Sequence, residues 1–156
     1  MLATKQFKFE LSHRLVSSYS KKCQSIHGHS YIAEVVIEAE HLNDDGMVMD
    51  FAELKHKVSP IIDAWDHSFM FYSKDPLAPN YKAMLEIIPM RFIEVDYNPT
   101  AEQMAYHLYR HCVEQGLPVR EIRVQETLTG WATANRPKPF VGEEIRYWNI
   151  PEIHNV

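Results

Sequence analysis

Cys23-Gln24-Ser25-Ile26-His27-Gly28-His29-Ser30-Tyr31-Ile32-Ala33-Glu34-Val35-Val36-Ile37 is the stretch from which the rest of the chain can be placed. It sets a thiol four residues before a His-Gly-His pair and then alternates. In an extended strand, residues two apart share a face and lie about 7 Å apart along the chain. Tyr31, Ala33, Val35, Ile37 and Ala39 therefore share the face of His27 and His29. Ile32, Glu34, Val36, Glu38 and Glu40 form a more polar opposite face. Gly28 leaves that opposite face bare, so a backbone or ligand can approach closely.

Upstream, Phe7-Lys8-Phe9-Glu10-Leu11-Ser12-His13 alternates in the same way, with Phe7, Phe9, Leu11 and His13 on one face. Both strands thus place histidines in phase with apolar residues, where an imidazole is partly desolvated. Zn²⁺ takes at least three protein ligands, and neutral imidazoles suit it better than three protonated rings suit one another. His13, His27 and His29 are the candidate metal ligands. The competing reading is three separate, hydrogen-bonded histidines.

The 156 residues carry 46% apolar and 24% charged side chains, which fits one soluble domain spanning 1–156 with a substantial core. A net charge of −5 argues against a general nucleic-acid or membrane-surface binder, though a small anionic ligand needs only a local basic pocket. No apolar run reaches transmembrane length, and the first residues lack a signal-peptide apolar core. Two cysteines, Cys23 and Cys112, build no disulfide framework, so a cytoplasmic location is expected.

The pattern predicts strands over about 5–13 and 27–40, joined by a polar loop that carries Cys23. A turn at Asn43-Asp44-Asp45-Gly46 leads to a short returning strand at 47–49. Asp50 is the expected N-cap of a helix that Pro60 should break or restart, with the apolar stripe continuing to Trp65. Residues 72–98 are punctuated by Pro76, Pro79 and Pro89, with a short helix expected near 84–88 and a strand at 92–95. Thr100 and Gln103 form a capping box for a helix whose buried stripe includes Met104, Leu108 and Cys112. Strands follow over 119–127, 131–134 and 143–150. This order indicates an α+β fold built on an antiparallel sheet.

Several residues have two readings. Glu126 lies in phase with Ile122 and Val124, where a carboxylate is costly unless it meets donors. It is either an anchor for a ligand's N–H groups or a strand-end salt bridge. Asp66-His67 is either an acid–base pair or a helix-end charge pair. Cys23, beside Lys22 in a polar loop, is either a fourth metal ligand or a free thiolate acting as a base.

The motifs FELSHRL, CQSIHGHSY, GMVMDFAELK, AWDH, NPTAE and VQET, in this order from about residue 7 to 130, resemble the 6-pyruvoyl- and 6-carboxy-tetrahydropterin synthase family. The resemblance implies a tunnelling fold (T-fold): antiparallel strands with two helices packed on one face, closing as trimers into a barrel. It also implies that two trimers stack into a homohexamer with active sites between subunits. It implies Zn²⁺ on His13, His27 and His29, catalytic roles for Cys23, Asp66 and His67, and pterin contacts from Glu126, Thr127 and Thr100. The three-residue gap between Cys23 and His27 is similar to that of the bacterial 6-carboxy branch. The implied lyase reaction converts 7,8-dihydroneopterin triphosphate to 6-carboxy-5,6,7,8-tetrahydropterin, releasing acetaldehyde and triphosphate for queuosine and related deazapurine synthesis. The alternatives are a pyruvoyl-type synthase or other pterin side-chain lyase, a His₃-zinc hydrolase, and a non-enzymatic zinc module. Residues 72–97 are longer than in compact family members, and 135–156 run past the usual end.

Overall fold

The computed structural model describes residues 1–136 and 144–151. The element order is β1 (Leu2–His13), α1 (Lys21–Gln24), β2 (His27–Glu38), α2 (Phe51–Trp65), β3 (Ser68–Tyr72), α3 (Ala78–Leu85), β4 (Phe92–Val95), α4 (Ala101–Glu114), β5 (Val119–Thr127), β6 (Gly130–Ala134) and β7 (Arg146–Trp148). The strands form one sheet in the order β6-β5-β2-β1-β3-β4-β7. The alternation predicted for β1 and β2 is the observed burial. Phe7, Phe9, Leu11 and His13 face the core from one strand, and Tyr31, Ala33, Val35 and Ile37 from the other.

The fold is α+β, and α2 and α4 pack onto the same core as these strands through Leu54, Val58, Trp65, Met104 and Leu108. The sheet is antiparallel over β6-β5-β2-β1. It is not antiparallel throughout, because β3 runs parallel to β1 and β4 parallel to β3. That half of the sheet also has a second core. Phe69, Phe71, Ala78, Tyr81 and Phe92 pack together beneath α3, so the long segment after β3 covers the sheet locally from its other side. A buried ion pair, Arg14 Nε to Asp75 Oδ2 at 3.2 Å, ties this segment to the residue after His13.

Three local expectations change. Residues 47–49 form no strand, because the Asn43 side chain accepts from the amides of Asp45 and Met47 and holds them in a loop. Pro60 lies inside a continuous α2. Burial of Ile61, Ile62 and Trp65 just beyond it outweighs the lost hydrogen bond. In the turn that Pro60 disturbs, the Lys57 carbonyl accepts from His111 Nε2 at 3.2 Å. The helix expected near 84–88 begins earlier, at Ala78, with Pro79 in its first turn. The two predicted caps are present. Asp50 accepts from the Ala52 amide at 2.6 Å, and Thr100 accepts from the Gln103 amide at 3.4 Å. Among the described residues, no helix is long and apolar enough to cross a membrane.

Candidate metal centre

Antiparallel register brings the three histidines together. His13 pairs with His27 and Leu11 with His29, so the end of β1 and the start of β2 present all three rings on the helix-covered face. Ring centroids are 4.6 Å apart for His13–His27, 5.4 Å for His13–His29 and 5.0 Å for His27–His29. One ligand nitrogen from each ring lies within 4.8 Å of the other two. Gly28 lies between them, and a Cβ there would meet the Leu11 carbonyl oxygen at a tight 3.1 Å.

Hydrogen bonds set the tautomers. His13 Nδ1 donates to the Pro99 carbonyl at 2.7 Å, and His27 Nδ1 donates to the Ser25 carbonyl at 2.8 Å. Each leaves Nε2 as the ring's lone-pair nitrogen, the usual outer support of a metal-ligating imidazole. Burial lowers the pKa of His13, against the raising effects of the Pro99 carbonyl and Glu126. Burial also lowers that of His29, opposed by Glu126. Burial thus favours the neutral rings of His13 and His29. Three imidazole nitrogens fit a divalent cation such as Zn²⁺.

Glu126 faces the same cluster. Its Oε1 lies 3.6 Å from His13 Nε2 and 3.8 Å from His29 Nε2. It occupies a bulge in β5, where pairing with β6 shifts between Gln125 and Thr127. Such an extra residue re-aims a side chain. Between carboxylate and histidine stands the Tyr31 hydroxyl, 3.1 Å from Glu126 Oε1 and 3.3 Å from His13 Nε2. Burial and the neighbouring carboxylate push the Tyr31 pKa up, so the phenol keeps its proton. Sequence reading placed Tyr31 only in the core. Its signal was a polar-tipped side chain two residues after His29 on the same face. A pocket of about 350 Å³ adjoins Glu126 and is lined by Leu15, Thr100, Gly130 and Trp131 among others. Thr100 thus reaches the pocket as well as capping α4. Thr127 is exposed at the end of β5.

Cys23 is half-buried on α1, in the connection between His13 and His27, and its carbonyl accepts from the Leu15 amide at 2.8 Å. Among the described residues the metal-type cluster comprises the three histidines without Cys23.

Asp66 and His67 form a pair where α2 ends. His67 has φ 56°, a left-handed turn that departs from helical geometry. Its Nδ1 lies 2.8 Å from Asp66 Oδ2, while Asp66 Oδ1 accepts from the Glu10 amide at 2.7 Å. Partial burial alone would raise the Asp66 pKa. The bonds from the Glu10 amide and His67 outweigh it and hold the carboxyl below its usual value. His67 is 74% exposed and lines an open pocket with Glu10, Leu11, Ser12, Gly28, His29, Ser30 and Ser68. Of these, Glu10, Ser12, Gly28 and Ser30 alternate with the metal-type histidines along β1 and β2, and His29 reaches the pocket edge. Within one chain, the Asp66-His67 pair therefore opens on the opposite face of the ribbon from the histidine cluster.

A family model described as 6-pyruvoyl tetrahydropterin synthase matches residues 3–137. The chain is 33% identical to the 6-carboxy-5,6,7,8-tetrahydropterin synthase of Aquifex aeolicus, covering 90% of this chain and 97% of that one. It is 32% identical to the Helicobacter pylori (strain J99) protein of the same name, covering 85% and 71%. Among solved structures, the uncharacterized protein WS1659 of Wolinella succinogenes superposes with a TM-score of 0.72 at 24% identity, over 87% of this chain and 98% of that one. The 6-pyruvoyl tetrahydropterin synthase of Caenorhabditis elegans gives 0.64 at 22% identity, over 87% and 95%. At these identities the structural matches bear on the fold.

Proposed function

The chain belongs to the 6-pyruvoyl tetrahydropterin synthase family, and we propose that it is a zinc-dependent 6-carboxy-5,6,7,8-tetrahydropterin synthase. The observation that carries this reading is the Glu126 carboxylate set 3.6 and 3.8 Å from two nitrogens of a three-histidine cluster. The names of the relatives favour the carboxy branch. The substrates are 7,8-dihydroneopterin triphosphate and one water, and the products are 6-carboxy-5,6,7,8-tetrahydropterin, acetaldehyde and triphosphate. The enzyme is then a carbon–carbon and carbon–oxygen lyase serving queuosine and deazapurine synthesis in the cytoplasm.

His13, His27 and His29 would hold the metal, which when bound would supply Lewis acidity for enolisation and carbon–carbon cleavage in the substrate side chain. Glu126 accepts from the pterin's ring N–H and amino donors and fixes the ring, with Thr100 and Thr127 at the pocket edge. Cys23 removes a side-chain proton as thiolate. Asp66 bonds Nδ1–H of His67 and leaves Nε2 to carry a second proton. Since that pair lies across the ribbon from the cluster, the working site combines the cluster of one copy with the Asp66-His67 pair of another, as a hexamer of two stacked trimers allows. Incubating zinc-loaded protein with 7,8-dihydroneopterin triphosphate and identifying the product by mass tests the assignment. Recovery of 6-carboxytetrahydropterin is expected, and a 6-pyruvoyl product or unchanged substrate contradicts it.

A further inference from the structure

Tyr31 is the one side chain whose polar atom reaches both the histidine cluster and Glu126 among the described hydrogen bonds. Its ring has little freedom. It is 1% exposed and stacks on Phe9 with centroids 5.1 Å apart and planes 8° apart. The hydroxyl at its tip is therefore a fixed donor on a rigid strand, the arrangement that holds a functional group to a narrow geometry.

We propose that Tyr31 is a positioning residue, whose hydroxyl donates to Glu126 Oε1 and holds that carboxylate at the rim of the histidine cluster, ready to receive a pterin's donors. The inference rests on the pterin reading above. Glu126 needs such support because it stands in a bulge, outside the regular ladder between β5 and β6. A carboxylate has about four acceptor positions, so one bond from Tyr31 leaves capacity for a ring N–H and an amino group together. The hydroxyl has one proton and two acceptors within reach, Glu126 Oε1 and His13 Nε2. When a metal takes the Nε2 lone pair, Glu126 is the remaining acceptor. Loading the metal and ordering the anchor are thus linked through one side chain.

The test uses zinc-loaded full-length protein and 6-methylpterin, a pterin with no cleavable side chain, followed by pterin fluorescence. Tyr31→Phe should keep zinc content and melting temperature near wild type while weakening 6-methylpterin about tenfold or more, the worth of a hydrogen bond to a charged group. The KM for the full substrate should rise by a similar factor, with kcat less affected. In a Glu126→Gln background the same change should weaken binding less than twofold, because the two residues act as one unit. Unchanged affinity in Tyr31→Phe overturns the inference. So does an undiminished effect in the Glu126→Gln background, or a loss of zinc that parallels the loss of pterin. Failure of the wild-type protein to bind 6-methylpterin is a different result, which overturns the pterin reading and this inference with it.

Discussion

The two faces of the β1–β2 ribbon are built from alternate residues of the same strands, yet they are made for different work. On the helix-covered face His13 is fully buried and His13, His27 and His29 converge beside Glu126. On the other face Glu10, Ser12 and Ser30 surround an open pocket beside the exposed His67. The dry face suits groups that must stay neutral and fixed. The wet face suits a group that must exchange protons. Period-two alternation can put both sets on one ribbon, but it also keeps them apart within a single chain. In the function proposed above, a second copy brings them together.

The largest effect is expected on the buried face. His27→Ala or His29→Ala should reduce zinc from about one ion per chain to a small fraction and abolish turnover, measured by metal analysis and product formation. Full zinc occupancy in both variants would remove the centre described here. Next come the groups to which the proposed function gives proton transfer and pterin binding. Cys23→Ala should retain zinc and lose roughly 10²–10⁴ in turnover, the usual worth of general acid–base help. Loss of zinc and melting temperature together would instead make the thiol a ligand. Glu126→Gln should keep zinc and fold while weakening pterin binding, because an amide oxygen replaces only part of the carboxylate's accepting capacity. Unchanged pterin affinity there would return Glu126 to a plain strand-end role.

The smallest effect contrasts two buried histidines. His13 has one nitrogen bonded to a carbonyl and the other turned to the cluster. His107 has both nitrogens facing phenols, Tyr97 at 2.6 Å and Tyr147 at 3.5 Å. Burial lowers its pKa to about 3. Between an unfolded value near 6.5 and that folded value, the unfolded chain binds a proton that the native chain does not. Stability should therefore fall as pH is lowered through this window, by up to about 1.4 kcal/mol per pH unit. His107→Gln should remove about one proton from the uptake on unfolding near pH 5, read from the pH dependence of denaturant midpoints. An unaltered slope would show that His107 is not the group responsible.

Legibility followed the same division. β1 and β2 were readable because each has one wet and one dry face, so burial writes itself as alternation. The caps at Asp50 and Thr100 were readable because capping is local chemistry. β3 was missed for the opposite reason: Ser68, Phe69, Met70 and Phe71 are all buried, leaving no alternation to read in a strand flanked by parallel neighbours. For Asp66-His67 the sequence leaves an acid–base pair and a helix-end charge pair both open, and it does not record the left-handed backbone at His67 that accompanies their contact. The histidine trio was visible as residue types in phase. The link from Tyr31 to Glu126 depends on how β2 and β5 register, which neither strand records alone.

The claim that the two faces serve one reaction from separate copies has a direct test. Cys23→Ala and His67→Ala chains are each prepared, shown to be nearly inactive, then unfolded together and reassembled. Sites joining an intact Cys23 to an intact His67 from a neighbour arise in about a quarter of random pairings. Turnover in the mixture should therefore rise well above both parents, towards about a quarter of wild type. Activity that stays at the level of the parents, in assemblies shown to contain both chains, would place Cys23 and His67 in one chain's site and contradict the account.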